Sequence, residues 1–288
     1  MTKILYVAGC GHSGTTLLDL LLSTHSSVCG LGEARMLVND ARRPEYTANA
    51  NERNCSCGRT INRCPLWSRF LTHVEETPEA DFEHRYSTLL SIVQDVTGPD
   101  TIVSDSSKYL NPLKQIAEAA RSGILQPLIS PNDLFAVHLV KDARAWVTSM
   151  KDRYDLNRWD LVRWYRKWHR DNQQIRSFLN QENLPSVRVS YEEICFRPRG
   201  TLRKIFEAAG IEEHGPVGEL GSACAHIGLG NPMRNDDQKS TRIEYDPRWF
   251  YEPLIQALYY LVPGVRSYNE QHAEDVMPLY LEKLSVIR

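Results

Sequence analysis

Lys3-Ile-Leu-Tyr-Val-Ala-Gly-Cys-Gly-His-Ser-Gly-Thr-Thr-Leu-Leu18 runs from a short apolar strand through a glycine loop into an amphipathic helix. Gly9, Gly11 and Gly14 permit a tight turn and close backbone approach, and the free N–H groups opening the helix point at whatever the loop encloses. Such a loop is a cradle for an anion. Against the nucleotide-binding pattern G-x-x-x-x-G-K-[ST], the chain fits at Gly9, Gly14 and Thr16 but carries Thr15 in place of lysine. ATP-using enzymes direct that lysine at the β- and γ-phosphates, so this loop points to a different phosphorylated ligand.

Beyond the loop, β-rich apolar runs lie at Ile4–Ala8, Thr101–Ser104, Leu134–Val140 and Val187–Ser190, with a weaker one at Val28–Leu31. Helical periodicity marks Thr15–Thr24, Phe82–Val96, Pro112–Arg121, Ala143–Arg153, Trp159–Leu179 and Arg199–Ala209, the last followed by Gly210 as a C-terminal cap. Strands alternating with helices predict an α/β three-layer sandwich around a central parallel sheet. Ligands of such sheets bind beyond the carboxyl ends of the strands. The residues expected there are the glycine loop, Gly32-Glu33-Ala34-Arg35, Asp105-Ser106-Ser107-Lys108, Lys141-Asp142-Ala143-Arg144 and Tyr191-Glu192.

With 288 residues, 42% of them hydrophobic, the chain is most economically one domain spanning 1–288. Long loops at 39–66 and 212–244 are expected to act as lids or to shape the acceptor site. A formal charge of −2 gives no general basic field, so no nucleic-acid partner is expected. The chain enters its first strand without a leader and contains no membrane-length apolar run, which predicts a soluble cytoplasmic protein. An odd count of seven cysteines also suits a reducing compartment.

Two of these segments resemble the motifs of the sulfotransferases that use 3′-phosphoadenosine 5′-phosphosulfate (PAPS). His12-Ser13-Gly14-Thr15-Thr16-Leu17 is similar to the family's 5′-phosphosulfate motif, [KR]-S-G-[TS]-[TS]. Leu139-Val-Lys-Asp-Ala-Arg-Ala-Trp-Val-Thr-Ser149 is similar to its 3′-phosphate motif, where a basic residue and a serine stand eight apart, here Lys141 and Ser149. Tyr191-Glu192-Glu193-Ile194, followed by Arg197-Pro198, resembles the stretch before the family's last sheet-flanking helix. The resemblance implies a P-loop nucleoside triphosphate hydrolase-like fold. It also implies a nucleotide site of Gly11, His12, Ser13, Gly14, Thr15, Thr16, Lys141, Ser149 and Tyr191, with Arg234 reaching over from a late loop.

His12 and Lys141 stand where the family usually has lysine or arginine and arginine. A nearby phosphosulfate favours a protonated imidazole, so His12 is a candidate acid as well as a loop support. Glu33, twenty-one residues past His12, resembles the catalytic glutamate of the protein-tyrosine branch, with Arg35 matching too. Its alternative is a surface pair with Arg35. Lys108 resembles the lysine of the same branch that stabilises charge on the sulfuryl group; its alternative is a solvated side chain. The reaction implied is transfer of the PAPS sulfuryl group to a hydroxyl or amine of a small molecule, glycan or peptide, releasing 3′-phosphoadenosine 5′-phosphate (PAP), with no metal required. A homodimer is compatible with this reading. The rivals are a P-loop small-molecule kinase, with Asp105 as its acidic strand end for magnesium, and a non-catalytic nucleotide-binding protein.

Weaker signals remain. Cys55, Cys57 and Cys64 lie within ten positions, but a structural metal site wants four ligands and His73 is poorly spaced as the fourth. A structural loop with a local disulfide is therefore expected over a metal. Trp159, Trp164, Tyr165 and Trp168 fall at helical spacing and are read as packing. Asp142 and Arg144 are expected to brace each other or cap the following helix.

Overall fold

The computed structural model describes residues 2–40, 53–212, 220, 225–230 and 242–273. Five strands, β1 (Lys3–Gly9), β2 (Val28–Gly32), β3 (Ile102–Lys108), β4 (Leu134–Val140) and β5 (Ser186–Ser190), form one parallel sheet in the order β2-β3-β1-β4-β5. Helix α1 (Thr15–Leu22) returns the chain from β1 toward β2, whereas α6 (Ala143–Tyr154) and α7 (Arg158–Gln181) carry it from β4 outward to β5. The connections after the neighbours β1 and β4 thus diverge, opening a crevice beyond their carboxyl ends.

Alternation along β1 builds the layers. Ile4, Tyr6 and Ala8 face a core shared with α4 (Phe82–Thr97), α5 (Leu110–Arg121) and α7, while Leu5 and Val7 face α1 and α9 (Pro198–Ala209). This is the three-layer sandwich with a central parallel sheet that the pattern of runs predicts. A third cluster, around Trp146, Tyr165 and Trp168, joins α6 and α7 to α10 (Pro253–Leu261) and α11 (Val265–His272). Gly210 caps α9 at φ +63°. Periodicity did not bring out the short helices α2 (Arg35–Asp40) and α8 (Tyr191–Phe196), nor α3 (Trp67–Glu76), α10 and α11. Among the described residues no helix is long and apolar enough to cross a membrane.

Two expectations need correction. β3 does not stop at Ser104: it continues through Lys108 because its polar residues find partners inside. Asp105 accepts from Tyr86 Oη (2.9 Å) and the Ser107 amide (2.9 Å), and Ser106 Oγ donates to Asp19 (2.9 Å). Trp159 is not packing: it is 67% exposed, while Tyr165 and Trp168 are buried and Trp164 stacks on Tyr154. His73 sits on α3, within hydrogen-bonding distance of the Thr77 and Thr88 hydroxyls, apart from the cysteines. Of the long loop expected at 39–66, Asn54 and Thr60 close a turn by a bridge, Ile61–Arg63 forms a 3-10 helix, and 41–52 lie outside the described residues; of the loop expected at 212–244, residues 213–219, 221–224 and 231–241 lie outside them.

Candidate functional site

β1 ends at Gly9, paired with Leu139, where a Cβ would lie 2.6 Å from the Leu139 carbonyl; only glycine lets β1 lie this close to β4. The loop then turns back on itself. The Ser13 amide donates to Cys10 O (3.2 Å), Trp146 Nε1 donates to Gly11 O (2.6 Å), and His12 and Gly14 take φ of +66° and +93°. A Cβ on Gly14 would also strike the Tyr191 ring at 2.5 Å, so α8 presses on the loop from the side. Gly14 is the N-cap of α1, and among the described residues no side chain caps that helix. Its first amides are therefore available, and the buried Ser13 hydroxyl has no hydrogen-bond partner among the described residues. Buried polar groups are normally satisfied, so these orphans fit the oxygens of a phosphate or sulfate ester.

The second cluster is built differently. Asp142 caps α6, accepting from the Arg144 and Ala145 amides (2.8 and 3.4 Å) and clasping the Arg144 guanidinium through Nε (3.0 Å) and Nη2 (2.7 Å). This amide end is thus already satisfied, and an anion here must be held by side chains. Lys141 provides one: it is 5% exposed, its ammonium donates to Ser149 Oγ (3.0 Å) and lies 4.6 Å from the centre of the Tyr191 ring. Burial pulls its pKa down, and Glu192 opposes that pull. Glu192 is itself pushed up to about 8 by burial and by Asp142. A buried ammonium with so little compensation is a ready partner for a phosphate.

Glu33 and Lys108 form the third group. Gly32, at φ +70°, ends β2 and turns Glu33 toward the crevice; Lys108, at φ +62°, does the same at the end of β3. Lys108 Nζ meets Glu33 Oε1 at 2.7 Å, and Arg35 Nη2 lies 3.7 Å from Oε2. Both Glu33 and Lys108 are 8% exposed, so neither the surface pair nor the solvated lysine describes them. Arg35 lies 4.5 Å from the centre of the Tyr109 ring, and its amide donates to Ser107 Oγ (3.0 Å).

The field in the crevice is set by cations. Desolvation first, then Lys108, Arg153 and Lys141, lower the pKa of His12 to about 4; Glu33 opposes them. His12 in the protein alone is therefore a neutral imidazole at neutral pH, unlike the protonated residue expected beside a phosphosulfate, and fixed positive charge comes from the lysines and Arg153. Asp105 is pushed up to about 6 by burial and is engaged by Tyr86 and Ser107. It is a structural carboxyl and does not present the exposed acidic strand end a magnesium-dependent kinase would use.

His12, Gly14, Thr15, Thr16, Glu33, Lys108, Lys141, Ser149 and Tyr191 line one cleft of about 1020 Å³. Gly11 and Ser13 are not among its lining residues, though both belong to the same loop, and Arg234 lies outside the described residues. Tyr109, Arg153, Tyr154, Tyr245 and Asp246 also line the cleft and were missed from sequence. Arg153 was within reach of sequence reasoning, for it stands four residues after Ser149 and so on the same face of α6.

The model of the "Sulfotransferase family" matches residues 5–215, well over half of the chain and spanning all five strands. No curated protein matches in sequence. Among solved structures, the sulfotransferase domain from the Synechococcus PCC 7002 olefin synthase aligns over 96% of this chain and 95% of its own, at 16% identity and a TM-score of 0.54. The sulfotransferase domain from the curacin biosynthetic pathway aligns over 90% and 96%, at 17% identity and a TM-score of 0.49. At such identities the first likeness speaks for a shared P-loop-like fold alone. The family match, whose span holds the glycine loop and the strand ends that converge on the cleft, places this chain in the sulfotransferase family.

Proposed function

We propose that the chain transfers the sulfuryl group of PAPS to a hydroxyl or amine acceptor and releases PAP. One observation carries this reading: a lysine-less glycine loop and a buried Lys141–Ser149 pair, two separate anion sites, open into one cleft beside a Glu33–Lys108 pair. Two separate anion sites in one cleft, flanking the Tyr191 ring, suit a nucleotide phosphorylated at both 3′ and 5′ positions. ATP has no use for the second.

PAPS supplies an activated sulfur and a phosphate leaving group; binding, orientation and proton transfer fall to the chain. The amides opening α1, with Ser13, Thr15 and Thr16, would hold the 5′-phosphosulfate. Lys141 and Ser149 would hold the 3′-phosphate, with the Tyr191 ring packed beside both loop and lysine. Glu33 accepts the proton of the acceptor hydroxyl as its oxygen bonds to sulfur and the bond from sulfur to the phosphate oxygen breaks. Lys108, already within 2.7 Å of Glu33, is positioned to stabilise charge on the sulfuryl oxygens while keeping the carboxylate in place. Glu33, Lys108 and Lys141, each at the carboxyl end of a different strand, thereby serve a displacement that positioning and electrostatics alone can drive.

The acceptor is proposed to be a small molecule, glycan or peptide, and the low net charge supports no polyanionic nucleic acid. Thermal shift tests the donor assignment. PAP without magnesium raises the melting temperature, whereas ATP with magnesium at the same concentration does so far less. Equal stabilisation by both would return the kinase reading. PAP binding without sulfuryl transfer to a broad acceptor panel would return the binding protein.

A further inference from the structure

We propose that Cys55, Cys57, Cys64 and His226 form a closed, tetrahedral zinc site that staples the turn at 53–67 to the segment 225–230. The thiol sulfurs and an imidazole nitrogen of these residues lie within 4.8 Å of one another, and Cys64 Sγ is 3.2 Å from His226 Nδ1. A zinc tetrahedron with bonds of about 2.0–2.3 Å has edges of roughly 3.3–3.8 Å, so small side-chain adjustments bring all four donors into contact with one ion. The three cysteines are free thiols; no disulfide is formed among them. The expectation of a local disulfide over a metal is thus reversed by a fourth ligand 162 residues beyond Cys64.

The surroundings are those of a structural site. Cys55, Cys64 and His226 are buried, leaving Cys57 alone at the margin. The turn that presents the cysteines is closed by its own backbone. The Cys55 amide donates to Arg59 O (2.8 Å), the Gly58 amide returns to Cys55 O (3.0 Å), and Gly58 takes φ +82°. Around it, Ser56 Oγ donates to Ala225 O (2.8 Å) and accepts from the Ile227 amide (2.9 Å), and Trp67 Nε1 donates to the His226 carbonyl. His226 is therefore held from both sides with its ring turned to the thiols. Three soft thiolates and one imidazole select zinc over the hard cations, and four protein donors leave no open position for a substrate.

The staple reaches the cleft. The His226 amide donates to Gly30 O (2.7 Å), and Ile227 and Leu229 pack so closely on Gly32 that a Cβ there would meet Ile227 Cγ2 at 2.6 Å. A Cβ on Gly230 would stand 3.2 Å from Glu33 Oε1. Segment 225–230 thus backs the turn that aims Glu33. Zinc would fix that segment from the side away from the crevice, a positional role independent of any donor or acceptor.

Metal analysis of the full-length chain, purified without a metal-binding tag under reducing conditions, tests the site. About one zinc per chain should survive dialysis, and Cys64→Ser and His226→Ala should each lose it. Loss of a structural ligand can also prevent folding, so the wild-type chain is reconstituted with cobalt(II) as a second measurement. Intense visible absorption from a tetrahedral cobalt–thiolate centre is expected, and addition of zinc should bleach it. Removing zinc by chelation should lower the melting temperature and leave the three thiols open to alkylation. A reduced chain that holds no zinc and gives only the weak spectrum of hydrated cobalt overturns the proposal, as would a disulfide among the three cysteines or an iron–sulfur chromophore. None of these readouts depends on sulfuryl transfer, so the site stands or falls apart from the proposed activity.

Discussion

Glu33 and Lys108 meet because two residues at strand ends leave the usual backbone regions. Lys108 and His12 are two of only four described non-glycine residues at positive φ, the others being Asp155 and Asn183, of types that tolerate it. Each such residue costs about 1–3 kcal/mol. The five leucines that α1 buries beside the loop contribute about 1.5–3 kcal/mol each, so the surrounding core can hold these conformations. Glu33→Gln keeps shape but cannot take a proton; kcat should fall by about 10²–10⁴-fold while PAP affinity stays unchanged in calorimetry. A variant with wild-type turnover would remove Glu33 as the base. Lys108→Ala should lower kcat by about 10²–10³-fold, whereas His12→Gln, which preserves a neutral donor, should stay within about tenfold of wild type. The reverse ranking would show that His12 is recharged and acts as the acid. Lys141→Ala should weaken PAP binding by about 10–100-fold, the value of one charge-assisted hydrogen bond.

Among the secondary-structure elements, most of the sheet and its long helices could be read from periodicity. What could not be read had a tertiary cause. Asp105, Ser106 and Ser107 look like a loop in sequence, yet they extend β3 because Asp19 of α1 and Tyr86 of α4 satisfy them inside. α2, α8, α10 and α11 are too short to show a clear apolar stripe. The Lys141–Ser149 pair was legible only through its resemblance to a family motif with a basic residue and a serine eight apart; in the structure the cap at Asp142 starts α6 where those eight residues bring the serine round to the lysine. Asp19 also offers a test of this architecture. It accepts from the Gly32 amide (2.7 Å) and Ser106, tying α1 to β2 and β3, and burial pushes its pKa from 3.8 to about 7. Between those values the folded chain keeps a proton that the unfolded chain has lost. Stability from this group is therefore full below pH 3.8 and declines as pH rises toward 7, by up to about 1.4 kcal/mol per pH unit. Asp19→Asn should remove that decline, and the difference in melting temperature between variant and wild type should shift in the variant's favour as pH rises from 5 to 7. A difference that does not change with pH would mean Asp19 is ionised in the fold.

Over the full chain, the cleft lies where the connections after β1 and β4 diverge, and the walls are drawn from distant parts of the sequence: the loop at 9–16, the end of β2, the end of β3, α6, and residues 242–247. Short motifs made the proposed nucleotide end legible because each is local. The Cys55–Cys57–Cys64 turn was misread because its fourth donor, His226, is brought in only by the folded chain. The acceptor end is illegible for the same reason, since it depends on the packing of long connections rather than on any one segment. Two anion sites that grip opposite ends of one doubly phosphorylated adenosine define the proposed enzyme, and a crystal structure of the chain with PAP would reveal whether they do. The 5′-phosphate should rest on the amides of Gly14–Thr16 and the Ser13 hydroxyl, and the 3′-phosphate on Lys141 and Ser149. A PAP molecule bound elsewhere, or with either phosphate facing solvent, would contradict this assignment.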